Sequence, residues 1–331
     1  MALRTLLLLA AALVLLAPAA VAQPVEEAAA PRRLAWMLEP GEARSHTVAL
    51  ELDTRLTAAS GTKRSERRTR TAMSCTVSMF GLRRERAEQD GAYIDTVVEL
   101  TVDDFHLEVV SESDDATITV TMDDEGMTVR HGQERPTHVP WTSVPPRQGG
   151  QVGELLGRTA TCSISREGQA VRIDGRMAPW TQVLDSIDLL PLITPLVPLP
   201  DEEVEPGSIW VRPPSSRPVT LSQPWEKLNL ATRPEVKVTA FERHKGVDAA
   251  RLAFTCTARL ADVRPRLDYT LEIKGEMLVG FDGAVLEGTA TVTLEAKTTV
   301  VDTDYVLTGI GTLRFGRPAA DSDAGAPRAH E

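Results

Sequence analysis

The 331-residue sequence holds no Gly-x-Ser-x-Gly, no His-Glu-x-x-His, no Cys-x-x-Cys and no glycine-rich loop placed after a strand. Those absences remove nucleophile-elbow hydrolases, helical zinc proteases, dithiol redox motifs and phosphate-cradling nucleotide folds. Aromatic residues are scarce, at 4 %, so the apolar aliphatic positions must carry most of any core. Basic residues are outnumbered, 36 against 47 acidic, for a formal net charge of −11. Such a field repels phosphate backbones and anionic lipid surfaces, and nucleic acid is not an expected partner. Only residues 63–70 are locally basic, without an aromatic among them, and they read as a solvated hairpin tip.

Long apolar runs are missing except at the start. Arg4 precedes an uninterrupted apolar stretch over residues 6–16, then Pro18 and the small-x-small triplet Ala20-Val21-Ala22. This is the pattern of a cleaved export signal, and the stretch falls short of the roughly 20 residues a bilayer needs. Cleavage after Ala22 would leave Gln23 as the new N-terminus and release the chain to the periplasm or beyond. No later segment is expected to span a membrane. No cysteine follows the triplet, so a lipid anchor is not expected.

Three cysteines, Cys75, Cys162 and Cys256, sit in strand-like surroundings. An oxidising compartment permits one bridge, in three possible pairings, or three inert thiols. Both readings stand at this level.

What the sequence does have is a hydrophobic period of two. Val48, Leu50 and Leu52 alternate with polar neighbours, as do Met73, Cys75, Val77 and Met79, and Ile94, Thr96, Val98, Leu100 and Val102. Each run buries one face and wets the other. Turn residues at 123–126, 167–168, 245–246 and 282–283 punctuate the runs into hairpins. The organisation read from these signals is a signal peptide over 1–22, a polar lead-in over 23–33 and an antiparallel half over 34–176. A helix and proline-spaced strap follow over 177–207, a second antiparallel half over 208–316 and a polar tail over 317–331. The helix is expected from Trp180, Val183, Leu184, Ile187 and Leu190, whose spacing matches one helical face. Pro191, Pro195, Pro198 and Pro200 then enforce an extended path.

Candidate chemistry is thin. Ser60-Gly61-Thr62-Lys63 matches Ser-x-x-Lys but lies in a polar turn, without the companion motifs of the penicillin-recognising enzymes. The pairs Asp103-Asp104, Asp114-Asp115 and Asp123-Asp124 lack the alternating oxygen ligands of a calcium loop. His131 and His138 flank a loop with Pro136 but form no zinc-ligand spacing. No catalytic residue, metal or cofactor is therefore expected. Trp180, Leu184, Ile187, Leu190 and Ile193 remain as candidates to line a hydrophobic ligand.

Leu199-Pro200, Val204 and Pro206-Gly207-x-x-Trp210, with the hairpins at 165–171 and 275–288, resemble a group of exported bacterial β-proteins of unknown function. The resemblance covers most of the chain and implies paired curved sheets wrapped about helices. In outline these are similar to the half-barrels of periplasmic lipoprotein carriers. The expected architecture is thus mainly β, with curved antiparallel half-barrel-like sheets in two associated halves and one central helix. The expected role is a non-catalytic envelope protein that binds or carries a hydrophobic molecule. The alternative is a structural or protein-interaction module of the envelope.

Overall fold

The computed structural model describes residues 30–86, 94–113, 116–143, 156, 159–168, 170–173, 176–177, 182–183, 187–188, 197–212, 215–220, 227–261 and 266–317. The alternating runs become strands, most of them longer than the sequence signals alone. After a two-residue strand, β1 (Arg32–Arg33), come three long ones: β2 (Ala43–Ser60), β3 (Lys63–Arg86) and β4 (Ile94–Ser113). Then follow β5 (Thr117–Met122), β6 (Gly126–His131), β7 (Thr137–Pro140), β8 (Ala160–Ile164) and β9 (Ala170–Ile173). Four two-residue pieces, β10 (Arg176–Met177), β11 (Gln182–Val183), β12 (Ile187–Asp188) and β13 (Glu203–Val204), lead to β14 (Ile209–Val211) and β15 (Ser215–Thr220). Five long strands finish the chain: β16 (Lys227–His244), β17 (Val247–Leu260), β18 (Leu267–Gly280), β19 (Val285–Val300) and β20 (Thr303–Gly316).

Sixteen of these strands form one antiparallel sheet with the main path β10-β9-β8-β4-β3-β2-β20-β19-β18-β17-β16-β14. The sheet is open and not a closed barrel. Its two sequence halves meet where β2 pairs with β20, from Thr47↔Gly316 to Ala59↔Asp304. Pro234 lies inside β16, where a residue without an N–H would normally break a ladder. It sits between the stretch paired with β15, which ends at Thr232, and the stretch paired with β14, which begins at Glu235. Its carbonyl still accepts from the Arg212 N–H at 3.2 Å, so only the return bond of that pair is missing.

The central helix is not found. Val183 pairs with Ile187 and Gln182 with Asp188 in a two-stranded antiparallel piece, and among the described residues the only helical turn is a short one at Trp141–Ser143. The helical spacing was real but competed with strong local opponents. Val183 and Ile187 are β-branched, and Asp185-Ser186 between them favour a turn over a helix interior.

Two extended segments fill the position assigned to that helix. Leu34, Ala35, Trp36 and Leu38 are buried, and so are Val197, Leu199 and Val204. Most of these pack into one cluster with sheet residues such as Val48, Met73, Val236 and Phe254. β1 and β13 tie the two segments together, with Arg32 opposite Val204. The residues 165–168 act as a clasp: the Arg166 carbonyl accepts from the Trp36 N–H at 2.8 Å, and the Glu167 carbonyl from the Leu199 N–H at 2.9 Å. Of the proline-spaced strap the described part begins at residue 197, where Val197 and Leu199 are buried on either side of half-buried Pro198.

Candidate functional site

Residues directly opposite one another in an antiparallel pair share a face. Applied across the register, this gives one apolar face to the whole sheet. Its best-buried row runs Val236, Phe254, Gly275, Ala290, Leu313, Leu50, Met73, Leu107, Met122. The plug formed by residues 34–38 and 197–204 packs into this cluster. Near the far end of the long strands a second cluster forms around Leu228, Leu230, Tyr269 and Ala296.

Between the two clusters much of the same face is half-buried, although Val292 and Ala258 there are buried. Leu52, Val109, Val120, Leu271, Ile273 and Leu294 make an apolar band there. Leu271 touches both clusters. Strand β20 contributes Gly309 and Gly311 to the same rows, opposite Leu294 and Val292. A Cβ at Gly311 would fall 2.3 Å from the Glu51 carbonyl oxygen, so glycine is required for the strands to approach this closely. A Cβ at Gly311 would also meet Leu52 Cδ1 at 3.0 Å, and one at Gly309 would meet Thr54 Cγ2 at 3.0 Å, so neighbouring side chains close over both glycines. The band is an open face, not an enclosed cavity.

Two surface grooves lie elsewhere. One is lined by Arg32, Val247, Asp248 and Phe281, where the Arg32 guanidinium stands 4.9 Å above the Phe281 ring and 3.1 Å from Asp248. The other lies among Glu235, Lys237, Lys274 and Glu276 and mixes both charges.

Polar groups gather at the plug rather than on the band. Arg212 holds Glu167 at 3.1 Å, Asp201 at 3.2 Å and the Leu199 carbonyl at 2.8 Å. Burial raises the Glu167 carboxyl above its usual range, opposed by the Arg212 charge and assisted by Asp201. This arrangement fastens the strap to the clasp, and Trp210 Nε1 adds a bond to the Pro198 carbonyl at 3.0 Å. Asp103 is also raised, by burial first and then by the charges of Asp104 and Asp124. Asp123 Oδ1 accepts from the Glu125 and Gly126 N–H groups, which makes it a turn-former.

Ser60 and Lys63 are the last cross-strand pair of the β2–β3 hairpin, so the one-turn helical spacing that Ser-x-x-Lys chemistry needs is not there. His138 Nδ1 lies 3.2 Å from Thr128 Oγ1. Among the described residues no three His, Cys, Asp or Glu side chains are grouped to hold a metal ion. Nor is any helix there long and apolar enough to cross a membrane. Of the lining candidates, Trp180, Leu184, Leu190 and Ile193 fall outside the described residues. Ile187 lies in β12, and its side chain falls outside the description too. The band residues were legible as core positions but not as a site, because only the register shows which of them remain half-exposed.

No disulfide joins the three cysteines; Cys75 and Cys162 are buried and Cys256 is half-buried. Burial pushes the Cys75 thiol up to about 12, so it is not a nucleophile at neutral pH. Thiol counting in denaturant is expected to find three groups. In the native protein a maleimide should reach half-buried Cys256 first, with Cys75 and Cys162 slow. A count of one would show a bridge.

No protein-family model matches the sequence, and comparison with curated proteins finds no relative.

Proposed function

We propose that this is an exported, non-catalytic envelope protein whose sheet acts as a half-barrel and holds a hydrophobic molecule on its inner face. The half-exposed band of Leu52, Val109, Val120, Leu271, Ile273 and Leu294 carries the reading. Half-exposed apolar surface bounded by two buried clusters gains free energy when a guest excludes water from it. An open apolar face suits long, flexible acyl chains better than rigid rings, because a chain can follow the strands. The basic and apolar start of the sequence and the Ala20-Val21-Ala22 triplet support export, with cleavage after Ala22.

A fluorescent fatty acyl probe tests the reading. The purified protein should bind it, and Ile273→Lys should weaken binding at least tenfold while the fold, followed by circular dichroism, persists. A lysine is tolerable at a half-buried site because its stem can lie along apolar surface with the charge in water. The outward neighbour change Lys274→Ala should leave binding unchanged. Failure of the unmodified protein to bind, or equal binding by Ile273→Lys, would remove the carrier reading.

A protein-interaction role has one observation in its favour. Ile209 and Val211 on the short strand β14 are 59 % and 41 % exposed. Native mass spectrometry separates the two roles by showing a co-purifying lipid or a co-purifying protein.

A further inference from the structure

The β19–β20 hairpin closes after the pair Val300↔Thr303. Its two central residues, Val301 and Asp302, have φ of 45° and 59°. Consecutive left-handed residues are the province of Asn and Gly, and a β-branched residue there is strained. Val301 is nevertheless 90 % exposed, and Val300 beside it is 41 % exposed. The valine therefore costs stability and returns no packing within the fold.

The neighbouring tip supplies the complementary feature. β2 runs beside β20 up to Ala59↔Asp304, so the Gly61-Thr62 turn adjoins the Val301-Asp302 turn. Arg55, Lys63, Arg64, Arg67, Arg68 and Arg70 crowd this hairpin against Glu66 and, opposite Arg70, Asp53. Glu66 is shared by Arg55 and Arg68, and Arg70 reaches Glu112 at 3.1 Å. Lys63, Arg64 and Arg67 are exposed and have no ion-pair partner among the described residues. Asp302 and Asp304 on the other tip offset part of this charge, and Asp304 accepts from Thr299 Oγ1 at 2.7 Å. In a chain of net charge −11 these cations are a local exception. Register places Lys63 and Arg67 on the inner-face side, opposite Ser60 and Leu56, at the end of the apolar face.

We propose that the adjoining tips of the β2–β3 and β19–β20 hairpins dock the protein on an anionic membrane surface. Lys63, Arg64 and Arg67 meet lipid phosphates, each strengthening attachment by about fivefold near an anionic surface. Val300 and Val301 enter the interface between headgroups. The acidic remainder of the molecule is repelled by the same surface, which orients it tip-first. The sequence-level expectation that the acidic chain avoids anionic lipid thus applies to its body and not to this end. The inference goes beyond carriage and does not need a guest, since vesicle binding by the guest-free protein is the readout.

Flotation with vesicles of phosphatidylcholine alone, and of phosphatidylcholine with about one-third phosphatidylglycerol, tests it. The protein should bind the anionic vesicles at least tenfold more tightly, and less so as salt is raised. Reversing Lys63, Arg64 and Arg67 together to Glu should abolish the preference. Val301→Asn should weaken vesicle binding while raising the melting temperature, because the turn is relieved of strain. No binding to either vesicle, equal binding to both, or unchanged binding by Val301→Asn would each overturn the proposal.

Discussion

Trp36→Ala is expected to lower the free energy of unfolding by about 3–5 kcal/mol, as truncation of a buried tryptophan does. The indole is 3 % exposed and belongs to the main cluster beneath the sheet. Arg44 stands 5.9 Å over its ring and is held by Asp282 at 2.7 Å, so the ring also roofs an ion pair. The adjacent Met37 is 43 % exposed, and Met37→Ala should change stability by no more than about 0.5 kcal/mol. Urea denaturation of the two variants measures both. Similar losses at positions 36 and 37 would mean that residues 34–38 do not plug the sheet.

Gly283→Ala should cost about 3 kcal/mol, from two separable causes. Its φ of 79° lies in the left-handed region, where a side chain costs about 1–2 kcal/mol. Its new Cβ would also stand 2.5 Å from the Trp36 Cα and 3.0 Å from the Trp36 nitrogen. Backbone at that distance has to move, and forced repacking adds about 1–3 kcal/mol. Gly246 supplies the control, with a φ of 86° and nothing within 4 Å of a new Cβ. Gly246→Ala should show the conformational cost alone. If thermal melts place the two variants together, the Ala35–Trp36 backbone does not press on the β18–β19 turn.

Much of the sheet was readable before the structure. Val48, Leu50 and Leu52 do share a face, and Met122 and Met127 close the hairpin around the Asp123–Gly126 turn residues. Lys245-Gly246 and Asp282-Gly283 turn where they should. Alternation is a local property of one strand, and it survives any arrangement of neighbours. What was missed depends on contacts distant in sequence. Leu34-Ala35-Trp36-Met37-Leu38 has no period to betray it, because it is held outside the main sheet by residues distant in sequence, its Ala35, Trp36 and Met37 N–H groups donating to the Phe281, Arg166 and Asp282 carbonyls. The helical spacing at residues 180–190 was genuine but was overridden in favour of short paired strands. For the candidate site, composition gave the apolar positions. Only the register shows that Leu52 and Ile273 share a face with two strands, β20 and β19, lying between theirs.

The pairing of β2 with β20 governs how the molecule can be made. Thr47 meets Gly316 and Ala59 meets Asp304, so the seam joins nearly the first strand to the last. Closing a loop of that length costs entropy before the seam returns anything, which slows folding. A chain emerging N-terminus first has β2, β3 and β4 available long before β20. Until then the outer edge of β2 offers unpaired backbone groups and an apolar face without its neighbour. Hairpins formed early must wait for the final fourteen-residue strand (Thr303–Gly316) before the sheet is continuous. Truncation within that strand therefore does more than shorten an edge: it leaves two half-sheets with sticky margins, prone to self-association rather than to a stable smaller fold.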